Sequence, residues 1–170
     1  MDADESVARH RIPREIAMRF AYLRRVVMTE MSRVLTPLGA TVPQYNVLFR
    51  LAQEKGAVSQ QELTLDAGLD AAGVSRLVAR MAEEKLVTVR VDARDRRRRL
   101  VKLTAKGRAL EESLSPIIEG IVRSLVTGLS EDEERLLLSL ANRVVFAILA
   151  LEQKQKKGRG GRTDPPAGIV

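Results

Sequence analysis

The sequence predicts a mainly α-helical protein that carries one small β-hairpin. Apolar residues recur at helical spacing along most of the chain, while a single short stretch is rich in β-branched residues. The composition agrees, since charged residues make up 30% and aromatic residues only 3% of a chain that is 45% hydrophobic. At 170 residues, one compact domain with one core is the expectation.

The chain is expected to open with a disordered segment followed by a long helix. Residues 1–12 are polar and predict a disordered N-terminus. Apolar residues then recur at helical spacing from Pro13, which suits a first helical turn, and Gly39 ends this helix. The apolar positions of the helix are Ile16, Phe20, Leu23, Val27, Met31, Val34 and Leu38.

Two capping boxes predict the next two helices. In a capping box a hydroxyl side chain accepts from the backbone three residues further on, and the Gln or Glu at that position reaches back. Thr41 and Gln44 form the first box and begin a second helix that runs to about Lys55. Ser59 and Glu62 form the second box and begin a short third helix.

Residues 60–81 resemble a helix-turn-helix. Its first helix covers residues 60–67, Gly68 supplies a turn that tolerates positive φ, and the second helix covers about residues 70–85. Thr64 stands at a buried position where such motifs usually carry Ala. Its hydroxyl therefore needs a backbone partner.

The second helix of this motif has one apolar face and one small, basic face. Val74, Leu77, Val78 and Met81 form the apolar face. Arg76 lies nearly opposite the apolar face, flanked by Ala72, Ala79 and Glu83, with Ser75 and Arg80 at the edges. Small side chains such as Ala72 allow close approach to a major groove, and an arginine can donate two hydrogen bonds to a guanine edge.

A β-hairpin with a strongly basic loop follows this helix. Residues 86–91 and 99–103 predict the two strands, and residues 92–98 predict the loop. Residues 90–108 hold nine basic and two acidic residues, so their balance equals the formal net charge of the whole chain, +7. A recognition helix beside a basic hairpin is the arrangement of a winged helix, whose wing places arginine at the minor groove. The alternative interpretation is that the two helices form an αα-hairpin of an ordinary helical bundle and that the basic segment is a solvated loop.

Two long helices complete the predicted fold. Thr104 caps a fifth helix, and Ser130 with Glu133 forms a third capping box that begins a sixth. Both helices carry apolar residues at helical spacing. From residue 154 the composition becomes basic and Gly-rich, so residues 154–170 predict a disordered basic tail.

The motifs resemble those of the MarR family of transcriptional regulators, which have a winged helix-turn-helix fold. The stretches that carry the resemblance are residues 41–48, 61–63, 73–81, 95–97 and 101–107, and above all the Asp-Arg-Arg wing followed by Leu-Thr-x-x-Gly. The resemblance implies one domain over residues 13–153, with the DNA-binding lobe at residues 42–103. The N- and C-terminal helices, at 13–41 and 104–153, are then a helical dimerisation region, and the protein is an obligate homodimer.

The resemblance also assigns roles to the helix-turn-helix residues by position. Ser75, Arg76 and Arg80 match recognition-helix residues that meet bases and phosphates. Ser59 and Gln60 match the helix start that presents backbone N–H groups and side chains to a phosphate.

In the wing, Arg96 and Arg97 match the residues that reach the minor groove. Asp95 resembles the acidic residue that braces the wing through a salt bridge, and Arg94 and Arg98 add charge at the tip. Four consecutive arginines exceed the usual pattern, so which of them enters the groove stays open. A second departure is Lys85, since relatives often carry Gly just before this strand.

Several classes of function and site are excluded or disfavoured. With no cysteine and one histidine, most catalytic and zinc-ligand arrangements are missing, and we expect no enzyme activity, no metal and no cofactor. Thiol-based peroxide sensing is excluded for the same reason. No apolar run is long enough to span a membrane, and the acidic N-terminus is unlike a signal peptide, so a cytoplasmic protein is expected.

The sequence therefore predicts a sequence-specific DNA-binding transcriptional regulator. The resemblance implies a repressor that binds a pseudo-palindromic operator as a homodimer and is released by a small aromatic or phenolic acid. Tyr22 and Arg25 are the candidate ligand residues, with Arg25 pairing a carboxylate, although surface and interface packing explains them as well. The alternative function is a sequence-tolerant nucleic-acid-binding accessory protein without a ligand, to which the basic tail would add salt-sensitive affinity.

Overall fold

The computed structural model describes the backbone of residues 3–159, and the side chains of residues 11–151, except Leu65, and of Lys154. This part of the chain is mainly helical with one small antiparallel sheet, as the sequence predicted. In chain order the elements are α1 (Ala3–Leu35), α2 (Val42–Ala52), β1 (Val58–Ser59), α3 (Leu63–Ala67), α4 (Ala71–Glu83), β2 (Val87–Val91), β3 (Arg99–Leu103), α5 (Ala105–Leu125) and α6 (Glu131–Arg159). None of the described helices is long and apolar enough to cross a membrane.

Helix α1 begins at Ala3, whereas the sequence predicted a disordered segment over residues 1–12 and a helix start at Pro13. Residues 3–12 contain neither glycine nor proline, so nothing in them stops a helix, and their acidic start suits a helix N-terminus. Pro13 lies inside the helix. At the other end, Gly39 has the predicted left-handed conformation, with φ 72°, and its N–H donates to the Thr36 carbonyl at 3.0 Å.

At the C-terminal end, α6 continues to Arg159, so the predicted disordered tail is helical over residues 154–159. Polar, charged residues support a helix without an apolar face, which the composition of this stretch did not reveal. The rest of the predicted tail, residues 160–170, lies outside the described residues.

The capping box that begins α2 is confirmed. Gln44 N donates to Thr41 Oγ1 at 3.3 Å, and Thr41 N donates to Gln44 Oε1 at 3.4 Å. The helix ends at Ala52, three residues before the predicted end at Lys55. The box at Ser130 and Glu133 that begins α6 is confirmed in the same way.

The sequence missed strand β1 and placed the start of α3 three residues too early. Val58 pairs with Val101 and Ser59 with Leu100, so β3 is the central strand of a three-stranded sheet. A strand of two residues is too short to show a period-2 pattern. Because Gln60 N donates to the Arg99 carbonyl at 2.9 Å, the chain stays attached to the sheet up to this point, and α3 begins at Leu63.

Buried apolar residues within residues 3–124 form two clusters, whereas the sequence predicted a single core. The first lies between α2, α3, α4 and the sheet, with Leu48, Leu63, Val78 and Val101 fully buried. The second joins the end of α1 to the start of α2 and the middle of α5, and is formed by Met31, Leu35, Ala40, Val42, Tyr45, Leu114 and Ile118. Helix α2 contributes residues to both clusters and therefore connects the first cluster to the second. Residues 125–159 form a separate unit.

The start of α5 lies directly against the corner between α4 and β2. Thr104 caps α5 as predicted, since Gly107 N donates to Thr104 Oγ1 at 3.0 Å, while Thr104 N donates to the Leu86 carbonyl at 3.1 Å. An added Cβ on Gly107 would stand 2.0 Å from that carbonyl oxygen. Lys85, noted in the sequence as a departure from the pattern that the resemblance implies, itself adopts a left-handed backbone with φ 59°.

Replacing Gly107 with alanine is expected to destabilise the protein by about 2 kcal/mol or more, because α5 must move away from the corner. Gly120→Ala on the same helix is the matched control. Its added Cβ meets nothing within 4 Å, so it should stabilise the helix by up to about 1 kcal/mol. Urea denaturation of both variants measures the difference, and equal effects would contradict the close approach.

Candidate nucleic-acid interface

Helix α4 presents the two faces that the sequence predicted. Asp70 caps it, with the Gly73 N–H donating to Asp70 Oδ1 at 2.7 Å. Val74, Val78 and Met81 are buried against the first cluster, and Leu77 is half-buried. The helix is therefore fixed to the lobe by its apolar side and leaves the other side free.

The exposed face of α4 carries Ala72, Ser75, Arg76, Ala79 and Arg80. Arg76 makes no hydrogen bond or ion pair with any described side chain, so its guanidinium is available to a partner. Arg80 is held by Glu84 through an Nε–Oε1 contact of 2.9 Å on the surface. Since exposed pairs of this kind contribute little, a phosphate can replace Glu84 as the partner of Arg80.

The turn between α3 and α4 also matches the sequence prediction. Gly68 has a left-handed backbone with φ 64° and nothing around its Cβ position, so conformation rather than space requires glycine there. Thr64 finds the backbone partner that its buried position needs, because its Oγ1 donates to the Gln60 carbonyl at 3.3 Å.

The backbone N–H groups of Ser59 and Gln60 are engaged within the protein and are not free to contact a phosphate, whereas the phosphate contact of the Gln60 side chain stays a prediction. Ser59 is 2% exposed, and both its N–H and its hydroxyl donate to the Glu62 carboxylate, the former at 2.8 Å. Gln60 is half-buried and its N–H is taken by the Arg99 carbonyl. Pairing in the sheet and the capping box occupy these groups. The box with Glu62 was expected from the sequence, whereas the pairing with Arg99 was not, because strand β1 was missed.

The wing is a hairpin whose tip is a tight turn. Strands β2 and β3 pair from Val87 with Leu103 to Val91 with Arg99. Beyond the strands, Asp92 N donates to the Arg98 carbonyl and Arg98 N donates to the Asp95 carbonyl, both at 2.9 Å. This leaves residues 96 and 97 at the two central positions of a β-turn, the most projecting part of the wing.

Asp95 braces the tip by a different contact from the predicted salt bridge. Its Oδ1 accepts from the Arg97 N–H at 2.9 Å, and Asp92 Oδ1 accepts in the same way from Arg94 N at 2.9 Å. No ion pair of Asp95 occurs among the side chains that the structure describes. Short carboxylate side chains stabilise turns by such local hydrogen bonds, so Asp95 fixes the turn itself and leaves the arginine side chains free.

Arg98 attaches the wing to the helix-turn-helix. Its guanidinium Nη2 lies 3.7 Å from Glu62 Oε2, the same carboxylate oxygen that accepts from the Ser59 N–H just before α3. Hydrogen bonds from the Ser59 side chain and backbone, followed by the charges of Arg98 and Arg50, lower the pKa of Glu62. The sequence predicted Glu62 only as part of a capping box. No sequence pattern indicates its contact with Arg98 in the wing.

The two candidate ligand residues stand next to each other on α1. The guanidinium carbon of Arg25 lies 5.1 Å from the centre of the Tyr22 ring, a cation–π contact, and both side chains are exposed. Arg25 also borders an open depression of about 490 Å³ along one face of α1, with Arg24, Met28 and Thr29. No described group of three or more His, Cys, Asp or Glu residues has a metal-binding arrangement.

Large apolar side chains are exposed on three of the long helices. On α1 they are Ile12, Ile16, Met18, Phe20, Tyr22 and Leu23, and on α5 they are Ile117, Val122 and Leu125. Helix α6, described by itself, exposes Leu136, Leu137, Leu138, Leu140, Val144, Val145, Phe146, Ile148 and Leu151. So many exposed large apolar side chains on one helix are typical of an interaction site.

Comparison with known proteins agrees with this arrangement. The MarR family model matches residues 38–98. Transcriptional regulator HosA of Escherichia coli O127:H6 is 32% identical over 105 residues, which cover 62% of this chain and 77% of HosA. The MepR–DNA complex of S. aureus matches with a TM-score of 0.65 at 23% identity, over 77% of this chain and 96% of that chain. PcaV of Streptomyces coelicolor, solved with its natural ligand, matches with a TM-score of 0.61 at 27% identity, over 80% and 93%.

The lowered pKa of Glu62 gives its contact a predictable pH dependence. A carboxylate with a depressed pKa in the folded state stabilises the protein above its unfolded pKa, and this contribution is lost as the pH falls through the folded pKa. We therefore expect Glu62→Gln, which keeps a capping acceptor, to flatten the loss of stability in the acidic range below about pH 5.

Thermal unfolding of both proteins between about pH 3 and 7 measures this change. Glu62→Ala removes the acceptor altogether and should cost about 1 kcal/mol at neutral pH. An unchanged pH dependence of stability in Glu62→Gln would show that the contacts of Glu62 with Arg98 and Ser59 do not depend on its negative charge.

Proposed function

The chain belongs to the MarR family of transcriptional regulators, and on that premise we propose that it represses transcription by binding a pseudo-palindromic operator as a homodimer. Members of the family are DNA-binding regulators and not enzymes. The observation that carries the proposal is the exposed face of α4, with an unpartnered Arg76 between small side chains, next to a wing whose tip is arginine. Action on DNA places the protein in the cytoplasm of its cell.

In the proposed complex α4 enters the major groove. Ala72 and Ser75 allow its first turns to approach the base edges, and Arg76 donates two hydrogen bonds to a guanine. Arg80 exchanges Glu84 for a phosphate. Because the apolar face of α4 is buried, this orientation is the one that exposes all these side chains at once.

The wing reaches the adjacent minor groove through its tip. Arg96 and Arg97 occupy the centre of the turn, so we assign the groove contact to this pair. Arg94 meets the phosphate backbone beside them. Arg98 instead keeps the wing in place through Glu62, and Asp95 keeps the shape of the turn.

The exposed apolar surfaces of α1, α5 and α6 support the homodimer. A second copy of the chain is the partner that would cover them, because side chains such as Leu138 and Phe146, 63% and 69% exposed, are costly to leave in water. A two-fold dimer presents two copies of α4 about one helical turn of DNA apart, which requires an inverted repeat in the operator.

We also propose that the protein dissociates from its operator when it binds a small aromatic acid. PcaV was solved with its natural ligand, so one relative of this fold binds a small molecule. In this chain, Arg25 offers a guanidinium for a carboxylate and Tyr22 offers a ring beside it. Both side chains are exposed in the single chain.

Selection of duplexes from a random pool at about 150 mM salt tests the DNA-binding proposal. An inverted repeat is the expected outcome, and Arg76→Ala should then weaken operator binding by about 1–3 kcal/mol and relax preference at one base pair. Arg97→Ala should weaken binding to all sequences. Arg33→Ala, which removes the same charge from the surface of α1, is the control and should bind normally.

A pool without any enriched sequence would favour the sequence-tolerant accessory protein over a regulator. Intact operator binding in both Arg76→Ala and Arg97→Ala would overturn the assignment of α4 and the wing as the DNA-contacting elements.

Titration of the protein–operator complex with benzoic and cinnamic acids tests the release mechanism. We expect an acid of this class to lower operator affinity about tenfold, a typical coupling between two sites. Arg25→Ala should abolish the response without changing the affinity for DNA, whereas Arg33→Ala should retain it. A response that survives Arg25→Ala would place the ligand elsewhere.

A further inference from the structure

A cavity of about 340 Å³ lies at the base of the wing, between three elements of the DNA-binding lobe. Leu51, Ala52 and Leu103 contribute the apolar part of its lining. Its rim carries three cations, Lys55 from the loop after α2, Lys102 from β3 and Arg108 from the first turns of α5. A volume of this size is within the range of small-molecule sites.

The three cations have no acidic partner in the protein. Within the described part of the structure, the charged side-chain groups of Lys55, Lys102 and Arg108 make no hydrogen bond or ion pair; the one contact of these residues with another side chain is at the Lys102 carbonyl, which accepts from Thr88 Oγ1 at 3.4 Å. Glu54 also lines the cavity, but its carboxylate is taken by Arg50, whose Nε lies 3.4 Å from Asp66 as well. The lining therefore carries three cations and one carboxylate, an excess of two positive charges.

Like charges that converge from three separate elements repel one another unless an anion lies between them. Cations that only serve solubility point away from each other on convex surface, whereas these surround a concave site. The apolar lining residues are a second feature of a ligand site, because they give the carbon skeleton of a ligand a surface to cover.

The cavity is separate from the surfaces already assigned to DNA and to the aromatic acid. Lys102 pairs with Thr88 near the start of the hairpin, at the end away from the Asp95 turn. None of the residues around the cavity belongs to α4 or to the candidate ligand pair on α1. Its ligand is accordingly a different molecule from the DNA.

We propose that this cavity is a binding site for a small organic polyanion with two or more carboxylate or phosphate groups. Arg108 pairs one acidic group through two parallel hydrogen bonds, and the two lysines act as point charges for the others. The carbon skeleton covers Leu51 and Leu103. A bound polyanion joins the loop after α2, strand β3 and helix α5, and so stabilises the lobe in one arrangement.

Isothermal titration of the full chain, without DNA, tests the proposal independently of its role as a regulator. The probes are citrate for carboxylates and fructose 1,6-bisphosphate for phosphates, with acetate as the monovalent control at constant ionic strength near 0.1 M. We expect at least one probe to bind with a dissociation constant of about 1 mM or lower and acetate not to bind. The tighter of the two identifies the acidic group that the site prefers.

The variant Lys102→Gln/Arg108→Gln should weaken binding at least tenfold. Arg14→Gln/Arg19→Gln removes the same two charges from the exposed side of α1 and should change the affinity less than twofold. Lys55→Gln alone, at an exposed position, should weaken binding severalfold and serves as the second variant if the double variant does not fold. Equal losses in the cavity and α1 variants would show general attraction to a basic protein, and absence of binding by both probes would equally overturn the site.

Discussion

The orientation of the recognition helix depends on one junction, where the start of α5 meets the end of α4. The last carbonyls of a helix have no partner within it. Here α5 supplies those partners, since Lys106 Nζ donates to the Glu84 carbonyl at 2.9 Å and Thr104 Oγ1 donates to the Lys85 carbonyl at 2.7 Å. The absence of a side chain on Gly107 allows the two backbones to approach this closely. The recognition helix is thus fixed to the helix that leads away from the DNA-binding lobe.

The elements defined by local chemistry were predictable from the sequence. Capping boxes connect residues three positions apart, so Thr41 and Gln44 identify a helix start wherever the rest of the chain lies. The faces of α4 follow from helical periodicity alone, and the tip of the wing follows from its charge. The left-handed conformation of Lys85 at the end of α4 was not predicted. The sequence showed only that this residue departs from the pattern that the resemblance implies.

Contacts between distant segments were not predictable. Arg98 and Glu62 are 36 positions apart, and the sequence assigned the arginine to DNA and the glutamate to a cap. Ser59 was expected to face a phosphate because its strand partner was unknown, and its burial follows from pairing with Leu100. The sequence shows which chemical groups are present, whereas folding decides which of them remain free.

The uneven distribution of charge has a consequence for how the protein finds its target. Residues 90–108 carry a net charge equal to that of the whole chain, so the other residues sum to zero and the excess charge is concentrated in the wing and the start of α5. In the field of a nucleic acid such a molecule experiences a torque as well as an attraction, and it arrives with its wing forward. Each productive encounter then needs less rotational search, and association slows steeply as salt screens the field.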